Sequence, residues 1–313
     1  MISLTGNSKQ LDILLPNTNK ALAEVLKNAT PKELQTLSQS KDLKSILNSL
    51  LTQSSQNPAS DKTLLELLKN NPTLKSLGSA TDNIKALLNA VKSDRSPLPI
   101  ETTLKNSLTN IKDLSETALK QKFENSGVFL ESKLKNASPQ NAKEIMANDL
   151  KAVLLKATDE ISASSNPNKS EILRQVDKLL LQIDYHQLLS HLSNSSSLYI
   201  PFSWEDMQEG QINLKKDKND TFYCDIDLKL KEYGELNIRL TLYEKNQLNI
   251  HIHSDNKEFK EIIKENISSL RLALTESKIT PREIRLLGLT KTENSSAYEE
   301  NSTNIDMGFE VKV

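Results

Sequence analysis

Glycine is scarce, seven in 313 residues, and none of the seven builds a GxGxxG or P-loop pattern, so a phosphate-cradling nucleotide site has no support. No GxSxG elbow occurs either. The single cysteine, Cys224, excludes an intrachain disulfide framework and suits a reducing compartment. Aromatics are 4% of the chain and apolar residues 36%, low for one fully packed globule. Part of the chain is therefore expected to be extended or loosely packed. No run approaches the roughly 18 apolar residues that a membrane span needs, so no membrane insertion is expected. With 40 basic and 41 acidic residues, net charge −1, there is no surplus to neutralise phosphates, which argues against nucleic acid as a partner.

What the chain does have is helix at the front. Residues 1–17, "MISLTGNSKQLDILLPN", lack a basic n-region and an apolar h-region, so they read as a flexible, export-signal-like terminus rather than a Sec leader. Residues 18–195 carry helical blocks. In "TPKELQTLSQS" Thr30 can cap and Pro31 takes the first helical position. "KDLKSILNSLL", "DKTLLELLKN" and "DNIKALLNAVKSD" space Leu and Ile by three and four. A longer helical stretch follows from Pro99, then "AKEIMANDLKAVLLKATDEI", then a helix placing Leu173, Val176, Leu179, Leu180 and Ile183 on one side. Linkers are expected near 52–60, 93–99 and 162–170. The blocks are short and weakly apolar: a string of marginal helices.

From about residue 200 the period changes to two. Phe222, Cys224, Ile226, Leu228 and Leu230 alternate with Tyr223, Asp225, Asp227 and Lys229. Leu236, Ile238, Leu240 and Leu242 repeat the pattern, as do Leu248, Ile250 and Ile252. One apolar and one wet face indicate an antiparallel meander. Gly234 can take a positive φ in the first turn. Asp255 can cap a following helix whose Phe259, Ile263, Ile267, Leu270 and Leu274 would cover the sheet. A short strand through Ile284 and Leu286 closes the module, and 291–313, ending in "GFEVKV", reads as a disordered tail. The fold class is thus α+β: a helical, loosely packed N-terminal region and a compact two-layer module over 200–290.

Chemistry-bearing residues are few. His251 and His253 share a strand face, a spacing that admits either a metal pair or a solvated polar row; the polar register favours the second. Asp225 and Asp227 pair likewise, for acid–base work or as wet surface. Cys224 falls in the apolar register, as a buried inert thiol would. Trp204 suits a core plug at the start of the module. No catalytic, cofactor or metal constellation emerges, so a binding protein rather than an enzyme is expected.

The segment "DLKLKEYGELNIRLTLYEKNQLNIHIHSDNKEFKEIIKENISSLRLALTESKI" resembles the C-terminal domain of the flagellar hook-length control family. That domain typically runs apolar strand, Leu-Gly turn, two alternating strands and a helix bearing Leu-Arg-x-x-Leu. Gly234, the strand from Leu236 and "LRLAL" at Leu270–Leu274 match; the family's proline and leucine before the glycine are replaced by Lys231, Glu232 and Tyr233. "ENSGVFLESKL" is similar to a Ser-Gly-aromatic-x-Glu segment of the same proteins, and "YHQLLSHLSNSSSLYIPFSWEDMQEGQI" to their lead-in.

The resemblance implies a bacterial flagellum-assembly protein that works by protein binding alone. Its front would be exported from the cytoplasm through the type III channel as a molecular ruler touching hook and hook-cap subunits. Its C-terminal domain would bind the cytoplasmic domain of the export-gate switch protein and turn export from hook-type to filament-type substrates. Tyr233, Gly234, Leu236, Leu270, Arg271 and Leu274 are the implied partner contacts. Reach agrees: one globule of this length has a radius of gyration of about 20 Å, whereas ~200 residues span about 300 Å as helix and about 660 Å extended. The rival expectation is a non-exported cytoplasmic helical adaptor or chaperone, which requires a compact, protease-resistant front.

Overall fold

A computed structural model of the chain describes residues 65–92, 100–135, 137–165, 167–193, 195–217 and 219–289. The helices expected before residue 65, the linkers at 52–60 and 93–99 and the tail at 291–313 lie outside the described residues. The chain divides into two compact units after Trp204.

In the first unit, residues 65–70 are helical and are followed by α1 (Pro72–Lys75), α2 (Ala80–Lys92), α3 (Ile100–Ser107), α4 (Glu116–Glu124), α5 (Leu130–Lys135), α6 (Pro139–Asn148), α7 (Leu150–Ala163), α8 (Lys169–Leu192) and the strand β1 (Ser196–Tyr199). The caps are local and legible. Asn71, Ser115 and Ser138 each accept from the N–H three residues on, and Asp149 accepts from Lys151 and Ala152, satisfying donors that the first helical turn leaves over. The single long helical stretch expected after Pro99 is broken at Asn110 and Ser115, each of which caps a new start, and at Gly127, which has φ +91°.

The long helix α8 is the spine: α2, α7 and β1 all pack on it. Its buried stripe is Ile172, Val176, Leu179, Leu180 and Ile183, with Ile172 rather than Leu173 at the first position. Together with Ile84, Leu87, Leu104, Leu150, Leu154 and Ile161, all at most 2% exposed, these residues form a core. The helical character stands as read, but the described helices pack more tightly than a string of marginal ones. Short blocks that are weak alone share one continuous apolar interior when folded back on a common spine.

The second unit holds β2 (Met207–Lys216), β3 (Phe222–Leu230), β4 (Gly234–Tyr243), β5 (Gln247–Ser254), α9 (Lys257–Glu276) and β6 (Thr280–Leu287), with β2 to β6 adjacent in chain order. The register confirms the alternation: Cys224 pairs with Leu240 and Leu240 with Ile250, while Ile226, Ile238 and Ile252 fill the next row. The mixed α+β class is as expected. Three features differ. β2 was not marked as a strand, because "MQEGQINLKK" is mostly polar and bulged between Met207 and Glu209. β6 joins β5 in parallel rather than extending the meander, since a helical crossover returns the chain to the end where β5 began. Asn256, not Asp255, caps α9 by accepting from Phe259 N–H; the Asp255 carboxylate accepts from Leu289 N–H at 2.8 Å.

Candidate partner-binding surface

The β3–β4 turn is held open by Gly234 at φ +77°, a conformation in which a side chain is strained. A Cβ there would meet nothing within 4 Å, so the strain lies in the backbone and not in a clash. Tyr233, half-buried beside it, stacks on Phe259 with ring centres 4.6 Å apart and planes 19° from parallel, pinning the turn to the first turn of α9. Leu236 is buried between Leu228 and Ser254.

The remaining three expected contacts sit elsewhere. Leu270, Arg271 and Leu274 are half-buried on α9, and Arg271 Nη1 donates to the Pro281 carbonyl at 3.3 Å, tying α9 to the start of β6. From Phe259 to Leu270 the helix rises about 16 Å. The six residues therefore fall into two groups, one at the β3–β4 turn and one at the α9–β6 end.

The polar sheet face is more organised than its sequence suggested. Asp227 accepts from Gln211 at 3.0 Å and from Asn237; Asp225 pairs across the strands with Arg239, and Arg239 with His251. His251 Nε2 lies 3.1 Å from Glu283, which also holds Arg285. Asp225 was expected to be solvated, but it is half-buried, and burial raises its carboxyl to about 6; Arg239 opposes this shift and Asp227 adds to it. His253 was expected to face solvent, yet it is 9% exposed because β6 runs alongside it. Its Nδ1–H donates to the Gly288 carbonyl at 3.2 Å, and burial lowers its proton affinity.

Cys224 is buried, as its register indicated, and burial pushes the thiol up to about 12. Trp204 is half-buried and is the last residue of the helical unit. His186 sits in the helical core, its ring 3.3 Å from the Ser197 hydroxyl. Among the described residues, no three His, Cys, Asp or Glu side chains converge as metal ligands, and no helix is long and apolar enough to cross a membrane.

The segment "ENSGVFLESKL" turns out to be a structural junction. Gly127 lies so close to α7 and α8 that a Cβ would stand 2.9 Å from Ile183 Cδ1 and from Lys151 Cβ. The Gly127 and Val128 carbonyls accept from Gln187 Nε2. Glu131 meets the ammonium of Lys151 at 2.7 Å, and that fully buried ammonium also pairs with fully buried Asp184 at 2.9 Å. Nothing in "NDLKAVLLKATDEI" marks Lys151 as internal, because its partners come from α5 and α8.

Residues 210–287 match the family described as flagellar hook-length control protein FliK. The sheet and helix of the second unit thus carry a segment shared with hook-length control proteins. No curated protein and no solved structure matches the chain.

Proposed function

We propose that this chain is a flagellar hook-length control protein. In this reading its C-terminal unit binds the cytoplasmic domain of the export-gate switch protein and turns type III export from hook-type to filament-type substrates. Its front is the exported ruler that meets hook and hook-cap subunits. The observation that carries the reading is the family match over 210–287, which runs from within β2 to the last residue of β6. Tyr233, Gly234 and Arg271 are the proposed direct contacts. Leu236, Leu270 and Leu274 support them by holding strand and helix in place. Deleting the gene is expected to give overlong hooks without filaments; hooks of ordinary length bearing filaments would refute the assignment. Gly234→Val tests the turn, and unaltered hook length and filament assembly would remove it from the contact surface.

A second reading is favoured by one observation, the packed helical core between residues 65 and 204. A non-exported adaptor with an α+β binding module accounts for it directly. The two readings separate in the culture medium: a ruler is found there, whereas an adaptor stays with the cells.

A further inference from the structure

We infer that the helical unit carries a carboxylate-binding cleft centred on Lys122. The cleft has a volume of ≈ 290 Å³ and is lined from α2, α3, α4 and the segments around Leu150 and Tyr199. It lies outside residues 210–287 and does not depend on the hook-length reading. Its floor includes the buried side chains of Leu150 and Tyr199, and the Tyr199 hydroxyl is already committed to the Ser126 carbonyl at 2.6 Å. Its walls are hydroxyls and carboxamides. Among the described residues that line it, Lys122 is the single charged side chain.

That ammonium donates to the Asn106 carbonyl, one of three N–H donors an ammonium carries. No carboxylate of the described residues pairs with it. Burial accordingly lowers its proton affinity, with no acidic neighbour opposing the shift. The solvent-exposed side-chain amides of Asn106 and Gln121 and the half-buried hydroxyl of Thr103 line the cleft without a partner among the described residues. The cleft thus offers one uncompensated positive charge, several unused neutral donors and an apolar floor.

An anion of single charge with a short carbon stem fits this set. One ammonium balances one carboxylate, whereas a phosphate group carries about −1.5 to −2 charge at neutral pH, which a single ammonium leaves partly unbalanced. The volume lies at the lower end of ligand pockets, which limits the guest to a small organic acid or the acidic side chain of a bound peptide. The shared chemistry is a carboxylate on an aliphatic stem.

Calorimetric titration of the full chain decides it, with butyrate, its neutral amide butyramide, inorganic phosphate and an end-blocked Asp-containing peptide as probes. Saturable binding of butyrate or the peptide is expected, with no binding of butyramide. Butyrate binding points to a free acid, and binding of the peptide alone points to a protein-borne one. Lys122→Met, whose melting reports that the fold is intact, should weaken binding at least about tenfold, the scale of one charge-assisted hydrogen bond; Gln121→Leu should weaken it less. Absence of binding by both acids, equal binding by butyramide, tighter binding of phosphate, or undiminished affinity in folded Lys122→Met would each overturn the assignment.

Discussion

Replacing Lys151 with methionine should do more damage to the helical unit than its sequence context suggests. The ammonium is 0% exposed and lies 2.9 Å from Asp184, which is also 0% exposed, and 2.7 Å from Glu131; Gln187 Oε1 accepts from it at 2.6 Å. Methionine fills most of the stem volume, so packing loss is small. What remains is the fully buried Asp184 carboxylate without its Lys151 counter-charge. Removing one partner of a buried pair costs about 3–5 kcal/mol, and at about 4 °C per kcal/mol for a unit of this size the melting temperature should fall by about 10–20 °C. Circular dichroism melts of the full chain measure it. Adding Asp184→Leu to Lys151→Met also removes the buried carboxylate and should recover most of the loss, giving a large coupling in the double-mutant cycle. If Lys151→Met melts within about 2 °C of wild type, the charge centre is not what holds α5, α7 and α8 together.

Three further outcomes follow from the geometry. Burial lowers His186 from 6.5 to about 3, so below pH 6.5 the unfolded chain takes up a proton that the folded chain refuses. Stability present above pH 6.5 is therefore lost on acidification, by about 2 kcal/mol between pH 6.5 and 5. Asp225, raised to about 6, gains stability over the same range and opposes this loss. In melts across that range the His186 contribution is therefore the difference between wild type and His186→Gln; parallel pH profiles of the two contradict the burial argument. Carbon-detected NMR should place the Asp225 midpoint near 6, lower in Asp227→Asn and higher in Arg239→Met, and the opposite shifts would show that the cross-strand register misidentifies its neighbours. Tyr233→Ala should lose the stack on Phe259, about 0.5–1.5 kcal/mol, while Tyr233→Phe keeps it; equal melting of the two would mean that the ring does not anchor the turn.

The sheet was readable because alternation is a local signal: Cys224, Ile226 and Leu228 declare their face without reference to any other strand. β2 escaped because Gln208, Glu209, Gln211 and Asn213 dilute that signal and the bulge after Met207 breaks its phase. The direction of β6 depends on where α9 delivers the chain, which no local pattern states. In the helical unit, Asp149 before Leu150 is a recognisable cap, but the burial of Lys151 beside it is set by Glu131 and Asp184, distant in sequence. The six expected contact residues were chosen on a linear likeness, and a linear likeness does not register the rise of α9 that separates Tyr233 from Leu270. His253 was misplaced for the same reason: its cover, β6, begins 26 residues after β5 ends, at a position set by the crossover.

The pairing of β2 with β3 has a mechanical consequence. Met207, where the chain enters this ladder, faces Leu230, at the end remote from the connecting loop. A pull on the chain from the front therefore tears the ladder open rung by rung, instead of loading all its hydrogen bonds in shear at once. Each rung yields before the next bears tension, so a modest steady tug suffices where a sudden concerted rupture would demand far more. β3 to β5 follow as successive hairpins, and the parallel seam of β6, drawn last, is reached only after its neighbours have been stripped away.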